Sequence, residues 1–329
     1  MKPRALNRIA KPRVSFAELE RDNEELRSSN TDLSDLLEFA SGLAARTHDS
    51  TQVAWYARRA LQRLIGARVE VTVGEAPHEG ATPLTTAGRV VGGLRVDGGD
   101  AARWSRLREA VTPQLATALS SATLAEQVKK THLETIAALS RSVETKDDYA
   151  GPQTERVSEI AVGLAKRLGY TGADLDAIEI GALMHDVGKI GIPESILHKP
   201  GPLDNDEWIM MKRHPVISEL ILAESDLSPI VTQIARSSHE RMDGRGYPDG
   251  LAGDAIPLPA RIVLVADAFD ALTTDRPYRR ARRPKSALEE IVANAGDQFC
   301  PNVVAALTQM YTEEPAVLGE LQLTVVASA

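Results

Sequence analysis

The chain has 329 residues, of which 43% are apolar and only 4% are aromatic, and its formal net charge is −8 at pH 7. This length predicts two domains, and the composition predicts cores filled by aliphatic side chains and alanine. The negative charge argues against binding of nucleic acid over the whole surface, and no apolar run reaches the roughly 18 to 20 residues that a membrane span needs.

The cysteine count and the N-terminal residues indicate where the protein acts. Cys300 is the single cysteine, so no intramolecular disulfide is possible, and we expect a cytoplasmic protein without a secretory signal. Residues 1–13 carry five basic side chains and no acidic one. They form either a solvated tail or a contact for anionic lipid or nucleic acid.

A long helix is predicted over residues 15–46, because its apolar positions repeat in steps of three and four. The repeat comprises Phe16, Leu19, Asn23, Leu26, Asn30, Leu33 and Leu37. A buried Asn at position a of a heptad favours a parallel dimer in register, so we predict a coiled-coil homodimer. The alternative is an amphipathic helix packed on its own domain. Residues 1–40 are therefore assigned as a basic tail followed by a coiled-coil helix.

A small α+β module is predicted over residues 41–125. Its elements are a helix over 47–65 that ends at Gly66, a strand at 69–73, turns around a short strand at 74–88, a strand at 89–96 and a helix over 104–124. This order, together with the string RVVGGLRVDG before the outgoing helix, resembles a GAF domain, a common sensory module. The resemblance implies a spacer that dimerises or transmits a signal, and we expect no bound cofactor there.

Helical periodicity dominates the remaining chain, residues 126–313, and the last residues, 314–329, have no assignment. The predicted helices cover 126–146, 154–168 and 175–186, with a break at 147–151 and a stop at Gly169. The fold class expected for the whole chain is mainly α: an all-helical domain preceded by the α+β module and the coiled-coil helix.

The dipeptide His185-Asp186 ends the last of these helices and is followed by Lys189. A helix would place residues 185 and 189 on one face, with residue 186 beside residue 189. An imidazole and a carboxylate on adjacent residues can bind one divalent cation, and a lysine one turn later can meet a phosphate oxygen. A lone His-Asp pair is weak evidence, but further candidate ligands follow it: His214, His239, Glu240, Asp243, Asp267 and Asp270.

Several longer motifs occur in order over residues 126–312. They are HDVGKIGIP from His185, KPGPL from Lys199, HP at His214, HERMDGRGYP from His239, FDAL from Phe269 and DRPYR from Asp275. Their sequence and spacing resemble the HD-GYP family, bacterial phosphodiesterases that hydrolyse cyclic di-GMP. The resemblance implies an all-helical HD-type domain, two or three bound iron or manganese ions and a role in second-messenger signalling.

The resemblance also implies roles for individual residues. The implied metal ligands are His185, Asp186, His214, His239 and Asp267, with Asp186 as the bridge between ions. The implied catalytic residues are Asp186 and Lys189, and the implied substrate contacts are Lys189, Tyr247, Asp270, Arg276 and Arg279. Mixed imidazole and carboxylate ligands suit iron, manganese or zinc better than magnesium.

Three positions depart from the family pattern. Gln153 and Ser238 stand where the family has histidine ligands, and Cys300 stands where it has an aspartate before Pro301. The loss of two imidazoles predicts weaker metal binding, with one or two ions retained. Cys300 is a poorer helix N-cap than aspartate, at an expected cost of about 1 kcal/mol.

These departures leave more than one functional hypothesis open. The first is an active cyclic di-GMP phosphodiesterase with an altered metal site. The second is a catalytically degenerate domain that binds cyclic di-GMP and acts on signalling partners. The third is hydrolysis of a different phosphoester.

Overall fold

The computed structural model describes residues 15–74, 79–144, 153–275, 280–315 and 318. Its contacts divide the chain into two compact units, Met1–Thr131 and His132–Ala329. The sequence places the corresponding boundary between residues 125 and 126. The structure is mainly helical, as predicted, and no helix among the described residues is long and apolar enough to cross a membrane.

The first unit contains helices and one small antiparallel sheet. Its elements are α1 (Phe16–Ala44), α2 (Ser50–Ile65), β1 (Arg68–Val73), β2 (Thr82–Thr86), β3 (Arg89–Asp97) and the first part of α3 (Ala101–Glu144). The strand order is β1-β3-β2. α2 begins at the N-cap Asp49, whose carboxylate accepts from the Gln52 amide, and it ends at Gly66 in the left-handed conformation, as predicted.

The sheet packs through one face on α2 and α3. Val69, Leu84 and Leu94 are buried there with Leu115 and Leu119 of α3. Gly92 is required in β3, because a Cβ at this position would lie 2.2 Å from the carbonyl oxygen of Thr72 on the neighbouring strand. The structure therefore supports a small α+β unit with a three-stranded sheet.

α1 has two different faces. Phe39 and Leu43 near its C-terminus are buried in the core of the first unit. The predicted heptad positions face away from this core and remain exposed: Phe16 is 75% exposed, Leu19 55%, Leu26 64%, Leu33 55% and Leu37 71%. These side chains do not pack on their own domain.

The helical ranges predicted at 104–124 and 126–146 belong to one continuous helix, α3, which crosses the predicted domain boundary. Neither glycine nor proline occurs between Gln114 and Glu144 to end it. Pro113 lies inside the helix without breaking it. No helix-ending residue therefore marks the predicted domain boundary between residues 125 and 126.

In the described residues of the second unit, the regular elements are helices joined by loops. Its helices are the end of α3, α4 (Gln153–Arg167), α5 (Gly172–Met184), α6 (Glu194–Leu197), α7 (Asn205–Met211), α8 (His214–Ala223), α9 (Pro229–Ser237), α10 (Leu258–Thr273), α11 (Pro284–Ala293) and α12 (Pro301–Glu313). α10 is central, with Ile262, Val263, Val265 and Ala266 fully buried against α4 and α9. This core holds the ends of α5, α8, α9 and α10, which carry the candidate site.

Candidate functional site

The site is centred on the carboxylate of Asp186, just after α5. His214 Nε2 and His239 Nε2 each lie 3.2 Å from Asp186 Oδ1, and they lie 2.9 Å from each other. Lys189 Nζ is 2.7 Å from Asp186 Oδ2, and His185 Nε2 is 3.5 Å from the same oxygen. Four of the predicted site residues therefore meet around one carboxylate.

The helix ends determine which nitrogen of each imidazole faces the site. Nδ1 of His185 lies 2.8 Å from the carbonyl of Ala182, and Nδ1 of His214 lies 2.8 Å from the carbonyl of Met211. A carbonyl only accepts hydrogen bonds, so Nδ1 carries the proton in each ring. In the neutral rings Nε2 then presents a lone pair, and Nε2 of His185 is buried with no hydrogen-bond partner in the described part of the chain.

This donor set fits a divalent cation. The ligand atoms of Asp186, His214 and His239 all lie within 4.8 Å of one another. A carboxylate and lone pairs of neutral imidazoles converge, and they need a cation between them. Backbone carbonyls that hold the far nitrogen of a ligand histidine are the usual support for such a site. His185 and Asp267, also predicted as ligands, lie outside this group of three.

The electrostatics keep the ligands in their binding forms. Burial by itself would raise the pKa of Asp186, but Lys189 and the three histidines beside its carboxylate, His185, His214 and His239, hold that pKa well below its usual value. Burial lowers the pKa of His239, which favours its neutral form. Burial beside the Asp186 carboxylate raises the pKa of Tyr247, so its phenol keeps its proton.

The segment after Asp186 is not an α-helix, so the expectation that His185 and Lys189 share a helix face was wrong. α5 ends at Met184, and Val187–Gly191 forms a 3-10 helix in which Lys189 N–H donates to the Asp186 carbonyl. The tighter turn still brings residues 186 and 189 together. Glycine is needed at 188, since a Cβ would lie 2.0 Å from the His214 carbonyl oxygen.

Ser218 is a positioning residue that the sequence analysis missed. Its hydroxyl accepts from the Gly188 amide at 2.8 Å and donates to the His185 carbonyl at 3.0 Å. It is completely buried on α8, one turn after His214. The signal that predicts it is this i,i+4 spacing from a candidate ligand, which puts both on the same helix face.

The Gly-Tyr-Pro loop is held by a buried carboxylate. Glu240 has no exposed surface, and it accepts from the backbone amides of Asp249, Gly250 and Leu251 at 2.7, 3.0 and 3.0 Å. The loop thereby returns to the end of α9. Tyr247 stacks on His239 with ring centroids 5.1 Å apart and an angle of 10° between the planes. Tyr247 therefore forms one wall beside the candidate metal ligands.

Gln153 and Ser238, which stand where the resemblance predicts histidine ligands, have different surroundings. The side-chain amide of Gln153 donates to Asp267 Oδ1 at 3.2 Å, so it stands beside one predicted ligand. Ser238 is 1% exposed, and its hydroxyl has no hydrogen-bond partner among the residues that the structure describes. An amide can neutralise a carboxylate only in part, and an unpaired buried hydroxyl is unfavourable.

Asp270 was predicted as a substrate contact, but the structure places it in the core. It is 2% exposed, and Arg156 Nε lies 2.6 Å from its Oδ1. The carboxylate is therefore occupied by a buried ion pair between α10 and α4. Arg156 was missed, although a charge among the apolar residues of α4 indicates a buried partner. Arg276 and Arg279 lie outside the described residues.

A helical unit built around a histidine and aspartate cluster that fits a divalent ion defines the class of this protein. A family model described as HD domain matches residues 137–303, which is half of the chain. The chain therefore belongs to the HD domain family. This assignment agrees with the helical fold and with the position of His185-Asp186 at its centre.

Similar curated proteins include the cyclic di-GMP phosphodiesterase response regulator RpfG of Xanthomonas campestris, 42% identical over 196 residues that cover 59% of this chain and 52% of the relative. The 3′3′-cGAMP-specific phosphodiesterase 2 of Vibrio cholerae is 37% identical over 59% of this chain and 38% of its own length. A cyclic di-GMP phosphodiesterase of Thermotoga maritima is 39% identical, with coverages of 55% and 50%. The chain thus spans about half the length of these relatives, or less.

Proposed function

We propose that this protein is a metal-dependent phosphodiesterase of the HD-GYP type that hydrolyses cyclic di-GMP in second-messenger signalling. One observation carries the proposal: Asp186, His214 and His239 bring their ligand atoms within 4.8 Å of one another beside Lys189. The names of the relatives support the substrate class, since each acts on a cyclic dinucleotide.

The residues of this chain have separate tasks in the proposed reaction. A divalent ion bound here would supply Lewis-acid chemistry to the phosphoryl group and would lower the pKa of water. Asp186, His214 and His239 hold that ion, and the carbonyls of Ala182 and Met211 keep the imidazoles of His185 and His214 turned inward. We propose iron or manganese, with one or two ions bound.

Lys189 and Tyr247 face the phosphodiester in this proposal. Lys189 supplies a positive charge that stabilises the charge developing on the phosphoryl group. Tyr247 keeps its proton and offers a flat ring beside His239. The predicted contacts of Asp270, Arg276 and Arg279 with the substrate stay predictions, and Asp270 also forms the buried ion pair with Arg156.

A specific contact favours the second candidate function, a domain that binds cyclic di-GMP without hydrolysing it. The Gln153 amide donates to Asp267 Oδ1, so that carboxylate has a partner without a second metal ion. A neutral amide in place of an imidazole weakens a metal position. We therefore expect the ion held by Asp267 to be the one that is lost first.

A restoration experiment separates the two candidates. Protein loaded with Mn²⁺ or Fe²⁺ is assayed for linear product from cyclic di-GMP, and its metal content is measured. The same assays are applied to the double variant Gln153→His and Ser238→His. Turnover by the unchanged protein supports the phosphodiesterase, whereas binding without turnover, followed by a gain in the double variant, supports the degenerate domain.

Asp186→Asn is the matched loss variant, since it keeps the shape of the side chain and removes the charge. It is expected to lose both metal and turnover. Turnover that survives in Asp186→Asn at full rate would contradict the proposed site.

The first unit is proposed to dimerise the protein and to transmit a signal. The exposed heptad positions of α1 support a parallel coiled coil with a second copy, because five large apolar side chains face solvent along one helix. A GAF-like origin of the α+β unit, signalling proteins as partners and a cytoplasmic location belong to the same proposal.

A further inference from the structure

A cleft of about 570 Å³ opens directly beside the candidate metal ligands. His239 and Tyr247 form one side of it, and the other side consists of Trp208, Ile209 and Lys212 at the end of α7. This volume is in the range of roughly 300–1,000 Å³ that small-molecule sites occupy. The second wall lies outside the motifs that indicate the phosphodiesterase function.

The α7 wall presents apolar surface to solvent. Trp208 is 45% exposed and Ile209 is 63% exposed. A large exposed aromatic side chain next to a catalytic cluster indicates a contact for a ligand, since burying it on binding releases water from both partners. Tyr247 offers a second aromatic ring within the same cleft.

Lys212 lies between the two aromatic rings. Its Nζ is 5.9 Å from the ring centroid of Trp208 and 5.8 Å from that of Tyr247. In the described part of the chain, no carboxylate lies within ion-pair distance of Lys212. The cleft thus combines two π faces with an unneutralised ammonium, which matches a ligand that carries both flat rings and negative charge.

A second cation lies at the loop side of the cleft. Arg245 is exposed there. The neighbouring Arg241 donates two hydrogen bonds to the Asp243 carboxylate, from Nε to Oδ1 at 3.0 Å and from Nη2 to Oδ2 at 2.8 Å. The protein as a whole carries a net charge of −8, so a local excess of cations is against the general trend. Such a patch attracts an anion to this part of the surface.

Side-chain contacts anchor the start of α7, the helix that forms this wall. Asp204 and Glu207 form a capping box at the start of the helix, with the Glu207 amide 2.9 Å from Asp204 Oδ1. Glu207 also pairs with Lys199 of the KPGPL segment. Trp208 follows directly on this anchored turn, which fixes the backbone position from which its ring extends.

We propose that Trp208 is the stacking platform for one purine of a cyclic dinucleotide whose phosphodiester lies at the Asp186 cluster, with Lys212 contacting a phosphate of the same ligand. The inference rests on the proposed function and adds a base subsite to it. Stacking depends on the π face of a base and not on its hydrogen-bonding edge. Trp208 therefore contributes equally to guanine and to adenine, and it strengthens binding without selecting between them.

The test compares Trp208→Ala and Trp208→Phe with Trp55→Ala. Trp55 is the matched control, because it is 48% exposed, carries the Arg59 guanidinium 5.0 Å from its ring centroid and lies in the first unit. Calorimetry with the bis-phosphorothioate analogue of cyclic di-GMP, which resists hydrolysis, measures binding. We expect Trp208→Ala to weaken binding about tenfold, Trp208→Phe to retain most of it, and Trp55→Ala to equal the unchanged protein.

Two further readouts distinguish a ligand contact from a structural role. Titration with the analogue should quench the tryptophan fluorescence of the unchanged protein, and Trp208→Phe should remove that quench while binding persists. In turnover assays Trp208→Ala should raise KM and leave kcat within about twofold. The same loss is expected with the 3′3′-cGAMP analogue.

The outcomes separate the base subsite from the proposed function. If the unchanged protein binds the analogue and a folded Trp208→Ala binds it equally well, the base subsite is wrong and the proposed function stands. If the unchanged protein neither binds the analogue nor hydrolyses cyclic di-GMP, both proposals fall. A loss restricted to one of the two nucleotides would overturn the claim that Trp208 reads only the π face.

Discussion

Residues outside the candidate ligand set determine the geometry around Asp186. Gly188 allows the 3-10 turn to approach the carbonyl of His214, and Gly246 allows the Gly-Tyr-Pro loop to pass the backbone after α9. Glu240 closes that loop through three backbone amides. Since a protein interior is packed as densely as a crystal, adding one methyl group at such a point moves the reactive side chains beside it.

Gly246→Ala tests this close approach. The new Cβ would lie 2.4 Å from the Cα of Glu240 and 2.5 Å from the amide nitrogen of Arg241, which are backbone atoms that cannot rotate away. We expect the free energy of unfolding to fall by about 1–3 kcal/mol, as measured by urea denaturation. Gly201→Ala is the matched control, because a Cβ added at residue 201 would have no described atom within 4 Å. Equal stability of the two variants would contradict the argument.

Cys300 is the N-cap of α12, as predicted, and its side chain forms no cap hydrogen bond. Its Sγ lies 3.6 Å from Nη1 of Arg261. Cys300→Asp supplies a hydrogen-bond acceptor for the helix N-terminus and a partner for the Arg261 guanidinium. The free energy of unfolding should therefore rise by about 1 kcal/mol. Thermal and urea unfolding measure the change. Cys300→Ala removes the thiol without adding a cap, so it should not raise the free energy of unfolding. If Cys300→Asp does not raise it either, the cost of burying the aspartate charge equals the benefit of the cap.

At the scale of elements, α1 and α3 show what periodicity does and does not indicate. The heptad pattern of α1 predicted an apolar seam, and that seam is exposed while Phe39 and Leu43 on another face reach the core. The domain boundary predicted between residues 125 and 126 falls inside α3. A helix ends only where its backbone or caps require it, so a boundary within α3 leaves no signal.

The seam of α1 is tested by the double variant Leu26→Glu and Leu33→Glu. Like charges at facing d positions repel, so light scattering should show a change from twice the chain mass to the chain mass. Ser28→Glu with Thr31→Glu adds the same charge on the outer side of the heptad and should leave the dimer intact. A monomer in the unchanged protein at all concentrations would refute the coiled coil.

At the scale of the whole molecule, the candidate metal site depends on the packing of the second unit. The ends of α5, α8 and α9 meet because α10 and α4 form the buried core beneath them. A bound ion joins these separate helix ends, so it stabilises the folded state relative to the unfolded chain.

Metal linkage gives a readout that is independent of activity. With Mn²⁺ at about 100 times its dissociation constant, the unfolding free energy should rise by about 2.7 kcal/mol, which is a shift of several degrees in the unfolding temperature. A chelator should remove the shift, and Asp186→Asn should lack it. Asp254→Asn is the control, because its side chain is 97% exposed and lies outside the cluster. A shift that persists in Asp186→Asn would place the ion elsewhere.

The sequence alone determined the mainly helical fold, the HD family and the residues that surround Asp186, because long motifs keep ligand types in order along the chain. The roles assigned to Asp267, Tyr247 and Lys189 stay predictions. Only the tertiary structure decided that Gln153 donates to Asp267, that Arg156 forms a buried ion pair with Asp270, and that Trp208 and Tyr247 line the same cleft. These residues lie far apart in the chain, and no local periodicity relates them; packing of the helices brings them together.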